Sequence, residues 1–486
     1  MFLAAKIIII LHKIILNMKK IALHWQILVA LLLAILYGVM FNTNYQVRDI
    51  SVKRLVYLHV DQQVISQYEQ LKGITFETKS ALKEALKNKI DVDYSKFEKT
   101  LIKEAYYNPP IRYIAWLGDV FIRALKMLII PLVLSSLISG VSNLGGSENL
   151  GRLGLKTLSY YILTSTFAIV TGLFFVNLLK PGVGADKSAE QMVEGLAKSS
   201  DTIGDTLINI VPTNIFESLS NGNMLPIIFF AIIFGVFITK AETKAKNLFT
   251  DFFNALFDIM MKITMWVIRF TPIGVFGIVA KVIADQDDLI GLAARMGLYM
   301  LTVLLALSVH AFITLPLLTK FIGKVNPIKH FKAVSTPLLT AFSTSSSGAT
   351  LPLTMTAVEK NDGVSNKITS FTLPLGATVN MDGTALYELV AAMFIAQAYG
   401  FDMTIGQQFL MVLTALLASI GAAAIPMAGM VMITVVLTVA GLPLEGIGLI
   451  LAVDRILDMF RTSVNVWSDT CGAVIIAKSE GETLKV

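Results

Sequence analysis

Long, nearly uncharged apolar stretches follow one another along this chain, and they decide what it can fold into. A membrane-spanning helix needs about 20 largely apolar residues. Ile21–Phe41, Ile114–Val141, Leu155–Leu179, Ile208–Thr239, Leu248–Ala280 and Leu289–Phe321 all qualify. Several exceed the thickness of a bilayer, which predicts tilt or kinks, and Pro212 with Pro226 predicts a broken helix in the fourth. Of 486 residues, 55% are hydrophobic and 15% charged, with mean hydropathy +0.70. A soluble domain carries roughly 25% charged residues, so the bilayer is the solvent expected here. The net charge of +6 is modest and needs no nucleic-acid partner. Cys471 is the only cysteine, which rules out an intrachain disulfide.

Two regions break the apolar pattern. Residues 1–20 mix a short apolar run with Lys6, His12 and Lys13. They read as an upstream start with Met18 as the natural beginning; an amphipathic lead-in helix and a signal peptide are the alternatives. Lys19 and Lys20 before the first span (21–42) place the N-terminus on the cytoplasmic side. Residues 43–111 are polar and rich in Lys, Glu, Gln and Asp. They are expected to form solvated amphipathic helices on the extracytoplasmic side.

From Ile328 onward the apolar segments become short, interrupted by TAFSTSSSGATLPLTM (340–355), PLGATVNMDGTALYE (374–388) and ASIGAAAIPMAGM (418–430). Irregular backbone at membrane depth is tolerated only where protein or a water-filled cavity covers it. The first and third interruptions are therefore expected to be re-entrant hairpin tips, and ordinary surface loops are the bland alternative. Paired half-helices point to a transporter binding site. Their N-termini suit a carboxylate and their free carbonyls suit sodium.

The last apolar segment, LAVDRILDMFRTSVNVWSDT (451–470), carries charges at helical spacing. At about 100° per residue, with Asp454 at zero, Asp458 falls near 40°, Arg461 near −20°, Asn465 near 20° and Asp469 near 60°. These groups share one arc. An ionisable group at the centre of a bilayer costs about 2.5–3.5 kcal/mol on insertion scales, so the stripe must meet partners, ligand or water. A salt-bridged structural face is the competing reading, and for Asp454 alone it is the better one. Asn380 and Asp382 lie between Gly376 and Gly383, where a helix is expected to open into an oxygen cage for an alkali cation. Glu388 lies on the arm beyond that break. A lone buried carboxyl is costly to ionise, so Glu388 is either a proton carrier or a structural hydrogen-bonding group.

The order of a serine-rich hairpin, NMDGT, and D-x-x-x-D-x-x-R-T-x-x-N-x-x-x-D resembles the glutamate transporter family of dicarboxylate/amino acid:cation symporters. The resemblance covers nearly the whole chain from Ile21, apart from 43–111. It implies an all-α polytopic membrane protein with eight transmembrane helices, two re-entrant hairpins, inverted repeats, a homotrimeric assembly and an elevator motion. Residues 112–325 would hold scaffold helices and part of the transport domain, to which the helix at 155–179 belongs. Residues 326–480 would form the transport core, with hairpin 1, helix 7, hairpin 2 and helix 8. No cofactor is implied beyond sodium as the coupling ion.

Carried over by position, Arg461 would pair with the substrate side-chain carboxylate and Asp458 with its amino group. Thr462 and Asn465 would hydrogen-bond the substrate main-chain groups, Ser346 and Ser347 would receive the α-carboxylate, and Thr384 would help at the side chain. Ile425 to Gly429 would close as a gate. One sodium position would use Tyr161, Thr164, Ser165, Asn380 and Asp382. A second would use Gly376, Asn380, Asn465 and Asp469. A third would use backbone oxygens near Thr378, Ser419, Ile420 and Ala422.

The pattern has departures. Ser345 stands where some prokaryotic members have arginine, and Met459 where animal-type members have another. Arg455, four residues before Met459, is the residue placed to compensate. Ala422 stands where threonine is common. Glu388 matches the animal-type carriers, in which that acid is implicated in proton coupling. Together, Asp458, Arg461 and Asp469 favour L-aspartate or L-glutamate over C4-dicarboxylates or neutral amino acids within the same family. An anion-conducting channel is the alternative from another class. An enzyme is not expected, because no nucleophile–base pair stands out. The expected location is the cell membrane, of the bacterial inner type, with several passes.

Overall fold

The computed structural model describes residues 23–90, 94–143, 148–184, 208, 210–286, 288–420 and 428–486. The N-terminal extension 1–20, Ala422 and Ile425 lie outside the described residues. The chain forms two compact units.

The first unit comprises the described residues up to Arg123 together with Ile268–Ala293. It contains α1 (Leu23–Met40), β1 (Asn44–Gln46), α2 (Asp49–Tyr57), α3 (Gln62–Glu69), β2 (Thr75–Phe76), α4 (Lys79–Lys89), α5 (Tyr94–Ala105) and β3 (Tyr106–Tyr107). The start of α6 (Pro109–Asn143) also belongs here. The polar segment is thus a small folded module. Its helices were expected; its antiparallel sheet, ordered β2-β1-β3, was not. Local signals start the helices: Asp61 Oδ1 accepts from Gln63 N at 2.8 Å, and Thr78 Oγ1 accepts from Ala81 N at 3.1 Å. Leu82 and Leu86, one helical turn apart, reach a core shared with Leu55, Tyr68 and Leu101. Asn108 Nδ2 donates to Phe41 O at 2.7 Å and to Thr43 Oγ1 at 3.0 Å, closing the module where its two chain ends meet the apolar helices. Thr43 Oγ1 and Tyr106 Oη both donate to Asp285 Oδ1, at 2.5 and 3.1 Å. Asp285 follows α11 (Thr271–Ala284). Glycine lets α6 and α11 touch: a Cβ on Gly277 would lie 2.7 Å from Gly118 N.

The second unit contains the rest of α6, then α7 (Glu148–Leu179), α8 (Ile215–Asn221), α9 (Met224–Lys240) and α10 (Thr243–Ile268). The break expected near Pro212 and Pro226 falls at Gly222, φ +73°, with Pro226 inside α9. Next come α12 (Leu289–Val309), a π-turn (His310–Thr314) and α13 (Leu315–Phe321). Pro327 follows an Asn326 cap into α14 (Pro327–Ala333). A pair of packed helices follows, α15 (Ser335–Thr344) with α16 (Ser347–Ala357), and then come α17 (Asn366–Val379) and α18 (Asp382–Ala398), separated only by Asn380 and Met381. Then come α19 (Ile405–Ile420) and α20 (Ala428–Val439), which pack on each other, and α21 (Ile447–Ser479). Helix α18 is buried almost throughout against α7, α20 and α21.

Pro109–Ser142, Arg152–Leu179 and Leu289–Phe321 are long and apolar enough to cross a membrane, and the interrupted pair α10 and α11 makes a fourth candidate. The single span expected over Leu248–Ala280 is thus two helices, parted at Arg269 and Phe270. Shorter apolar helices occupy Trp25–Met40, Met224–Lys240 and Ile405–Ser419. The mostly helical, apolar architecture is that of a multi-pass membrane protein.

Candidate functional site: a buried polar seam between interrupted helices

Helix α21 turns its charged arc inward. Asp454, Asp458, Arg461, Asn465 and Asp469 are all buried, and Arg461 is only 1% exposed. Arg461 Nε donates to Asp458 Oδ1 at 2.8 Å and Nη1 to Asp454 Oδ1 at 3.0 Å. Tyr387 of α18 donates its hydroxyl to Asp454 Oδ1 at 2.6 Å, and its ring lies under the guanidinium, 4.2 Å from centroid to Cζ. Arg455 Nη1 lies 3.6 Å from Asp458 Oδ2. Among the described residues, Arg461 Nη2 is buried without a hydrogen-bond partner. An unsatisfied guanidinium nitrogen at this depth is costly and is a ready donor for an incoming carboxylate. Gly429, in the first turn of α20, comes so close to this group that a Cβ there would stand 2.9 Å from Arg461 Cζ.

Thr462 Oγ1 lies 3.5 Å from Asp458 Oδ1. Asn465 caps the start of α18: its Oδ1 accepts from Gly383 N at 2.8 Å and Thr384 N at 3.4 Å, while its Nδ2 donates to Thr384 Oγ1 at 3.0 Å. The first N–H groups of a helix need such a partner.

At the other end of the seam, Ser345 adopts a left-handed conformation, φ +51°, between α15 and α16. A non-glycine residue held there stores about 1–2 kcal/mol of strain. Ser346 caps α16, its Oγ accepting from Ala349 N at 3.2 Å, and Ser347 Oγ donates to Ala377 O at 3.1 Å. The two serines thus stand at a helix N-terminus facing the end of α17.

The residues expected at the first sodium position meet. Ser165 Oγ donates to Asp382 Oδ1 at 2.6 Å, and Thr164 Oγ1 lies 3.3 Å from Asn380 Oδ1. Tyr161 donates to Thr372 O at 2.7 Å, and its hydroxyl stands beside Gly376. Of the second set, Asn380 Nδ2 donates to Asp469 Oδ1 at 2.9 Å and Gly376 adjoins the same carboxylate, whereas Asn465 is engaged at the start of α18. For the third, α17 and α19 pack together. Thr378 and Ser419 turn their hydroxyls to Leu375 O and Leu416 O within their own helices, and Ile420 ends α19. Glu388 is fully buried in α18, and among the described residues neither carboxyl oxygen has a hydrogen-bond partner.

Three participants carry no role in the sequence reading. Ser468 Oγ donates to Asp382 Oδ2 at 2.6 Å and accepts from Asn380 Nδ2 at 3.0 Å. His310 Nε2 lies 3.0 Å from the same Asp382 oxygen. Tyr387 holds Asp454. A signal existed for Ser468, since the helical projection puts it near −40°, on the edge of the same arc. His310 opens the π-turn within the apolar span Leu289–Phe321, and such turns mark functional positions. Tyr387 gives no local signal.

Comparison with known proteins matches residues 23–479 to the sodium:dicarboxylate symporter family. An excitatory amino acid transporter of Caenorhabditis elegans is 38% identical over 75% of this chain and 81% of its own length. A proton/sodium-glutamate symport protein of Geobacillus stearothermophilus is 38% identical over 78% of this chain and 90% of its own length. Excitatory amino acid transporter 3 of Mus musculus is 37% identical over 77% and 80% respectively. These proteins are transporters, not enzymes. With a match this long and relatives this similar, the chain belongs to the sodium:dicarboxylate symporter family.

Proposed function

We propose that this protein is a sodium-coupled symporter of acidic amino acids, taking L-aspartate or L-glutamate with sodium ions across the cell membrane. The observation that carries the substrate class is the free Nη2 of buried Arg461, set beside two carboxylates. An acidic amino acid brings two carboxylates and an ammonium. Its side-chain carboxylate finds the guanidinium, and its ammonium finds Asp458. A C4-dicarboxylate has no ammonium to offer the Asp458 carboxylate and would bring its second negative charge toward it instead. The α-carboxylate is received at the N-terminus of α16, where Ser346 and Ser347 stand. Thr462, Asn465 and Thr384 line the space between.

Sodium is bound by the oxygens at the break between α17 and α18. Tyr161, Thr164, Ser165, Gly376, Asn380, Asp382 and Asp469 supply two positions, with Asn465 joining the second when it releases α18. Carbonyls near Thr378, Ser419, Ile420 and Ala422 supply the third. Glu388 carries a proton in the cycle; its unpartnered carboxyl oxygens support that role over a structural one. The pairs α15–α16 and α19–α20 are the two re-entrant hairpins of a fold with eight spans, and Ile425 to Gly429 is the gate. The close approach of Gly429 to Arg461 supports a gate next to the substrate-binding guanidinium. Transport proceeds by an elevator motion of the core within a homotrimer.

The test is uptake of labelled L-aspartate and L-glutamate into proteoliposomes. An inward sodium gradient is compared with potassium alone, and excess succinate is added as competitor. Sodium-dependent, succinate-resistant uptake that disappears in Arg461→Ala is the expected outcome. Uptake indifferent to sodium, or abolished by succinate, overturns the reading in favour of a proton-driven or dicarboxylate carrier.

A further inference from the structure

Ser468 occupies a position that none of the sodium sets assigned above includes. Its hydroxyl is fully buried and, among the described residues, is the one group hydrogen-bonded to both the Asn380 and the Asp382 side chains. Donating to Asp382 consumes its one proton, and accepting from Asn380 uses one of its lone pairs. The second lone pair remains for a cation. The hydroxyl also fixes Asn380. With Nδ2 shared between Ser468 and Asp469, the amide can only present Oδ1 on the side of Thr164. Asp382 in turn is held from three directions, by Ser165 on Oδ1 and by Ser468 and His310 on Oδ2.

The backbone around Ser468 is anchored on both sides. Tyr160 donates its hydroxyl to Ser468 O at 3.2 Å, and Trp467 Nε1 donates to Ala311 O at 3.0 Å, next to His310. The hydroxyl therefore has little freedom to leave the pair it bridges.

We propose that Ser468 is a positioning residue for sodium coupling: its hydroxyl aligns the Asp382 carboxylate with the Asn380 amide, and so sets the affinity for the cation held between them. This rests on the reading of the protein as a sodium symporter. Removing a hydrogen bond to a charged group weakens what that group holds by about tenfold or more.

Purified full-length protein gives two readouts: sodium-dependent thermal stabilisation in detergent without substrate, and the sodium concentration for half-maximal L-aspartate uptake in proteoliposomes. In Ser468→Ala, both sodium midpoints are expected to rise on the order of tenfold, while the half-saturating aspartate concentration at saturating sodium stays within about twofold. Ser468→Thr, which keeps the hydroxyl, restores the sodium midpoint. Ser165→Ala serves as a reference for losing one Asp382 donor. An unchanged sodium midpoint in a folded Ser468→Ala protein overturns the proposal, and so does an equal loss of sodium and aspartate affinity. If wild-type uptake ignores sodium, the symporter reading fails, and the thermal readout then judges Ser468 alone. Sodium stabilisation lost in Ser468→Ala supports its role, and no sodium stabilisation in wild type ends it.

Discussion

The module of residues 43–107 and helix α21 distribute their charges in opposite ways. In the module, Lys72 pairs with Asp49 at the surface, Lys83 with Glu98 and Arg54 with Glu104, around a core of Leu55, Leu82, Leu86 and Leu101. In α21 the exposed positions include Ile456 and Phe460, while Asp454, Asp458, Arg461 and Asp469 are buried. The first arrangement suits water, where burying apolar surface drives folding and surface ion pairs contribute little. The second suits lipid, where an apolar exterior is free of penalty and a buried polar network is retained for what it binds. A large-to-small change in the module should therefore act on folding, and one in α21 should act on transport.

The largest expected effect is at Arg461. Arg461→Ala leaves Asp454 and Asp458 without their shared cation and removes the free Nη2. Uptake should fall by more than about 100-fold, since breaking a buried charge pair costs about 3–5 kcal/mol. Arg461→Lys should not rescue it, because a point charge cannot serve both acids and a bidentate carboxylate. Initial rates of labelled aspartate uptake, normalised to reconstituted protein, measure this. Near wild-type transport in either variant would mean that the buried network is structural, and the contrast with the module would collapse.

The complementary substitution is Leu86→Ala in α4. Loss of a buried leucine costs about 2–5 kcal/mol, which here falls on a module secured by Asn108 and Asp285. Limited proteolysis within 43–107 should become much faster, while sodium-dependent uptake changes less than about twofold. Equal damage to both would show that the module is required for transport. A smaller effect is expected at Tyr387→Phe, which keeps the ring beneath the guanidinium and removes only the hydroxyl bond to Asp454. The aspartate concentration for half-maximal uptake should rise about tenfold, the scale of one charge-assisted hydrogen bond.

The same contrast explains what could be read from the sequence. The polar arc of α21 was legible because charges at helical spacing in an apolar segment have few explanations. The break at Asn380–Met381 was legible from its flanking glycines and the NMDGT run. Asp454 was the weak point. Its place near the start of α21 suggested a salt-bridged structural group, and the structure pairs it with Arg461 and Tyr387 as that reading expects, without the sequence naming either partner. Neither partner's approach is encoded locally, since Tyr387 comes from α18. His310 is hidden for a related reason: one histidine in an apolar span has no periodicity, and only the π-turn turns it toward Asp382. In the module, helices were legible by their 3.6-residue pattern, but strands of two or three residues are too short to show alternation.

The smallest expected effect lies where α21 leaves the apolar region. Glu480 receives Lys156 Nζ and Arg152 Nη2, each at 2.6 Å. The Lys156 hydrogen bond, and secondly that from Arg152, hold its carboxyl below the ordinary glutamate range. A carboxyl whose acidity is increased by folding stabilises the folded state above its unfolded pKa, and this contribution is lost as pH falls through the lower folded value. The site is close to solvent, so the contribution stays below about 1 kcal/mol. Glu480→Gln should therefore lower thermal stability slightly at pH 7 and converge with wild type in acid, below about pH 4. Added salt should shrink the difference at neutral pH. The charges within the α21 seam are shielded from solvent ions, so the uptake deficit of Arg461→Ala should persist at high salt. A salt-insensitive Glu480 effect, or a salt-sensitive Arg461 effect, would place the two pairs on the wrong sides of the contrast.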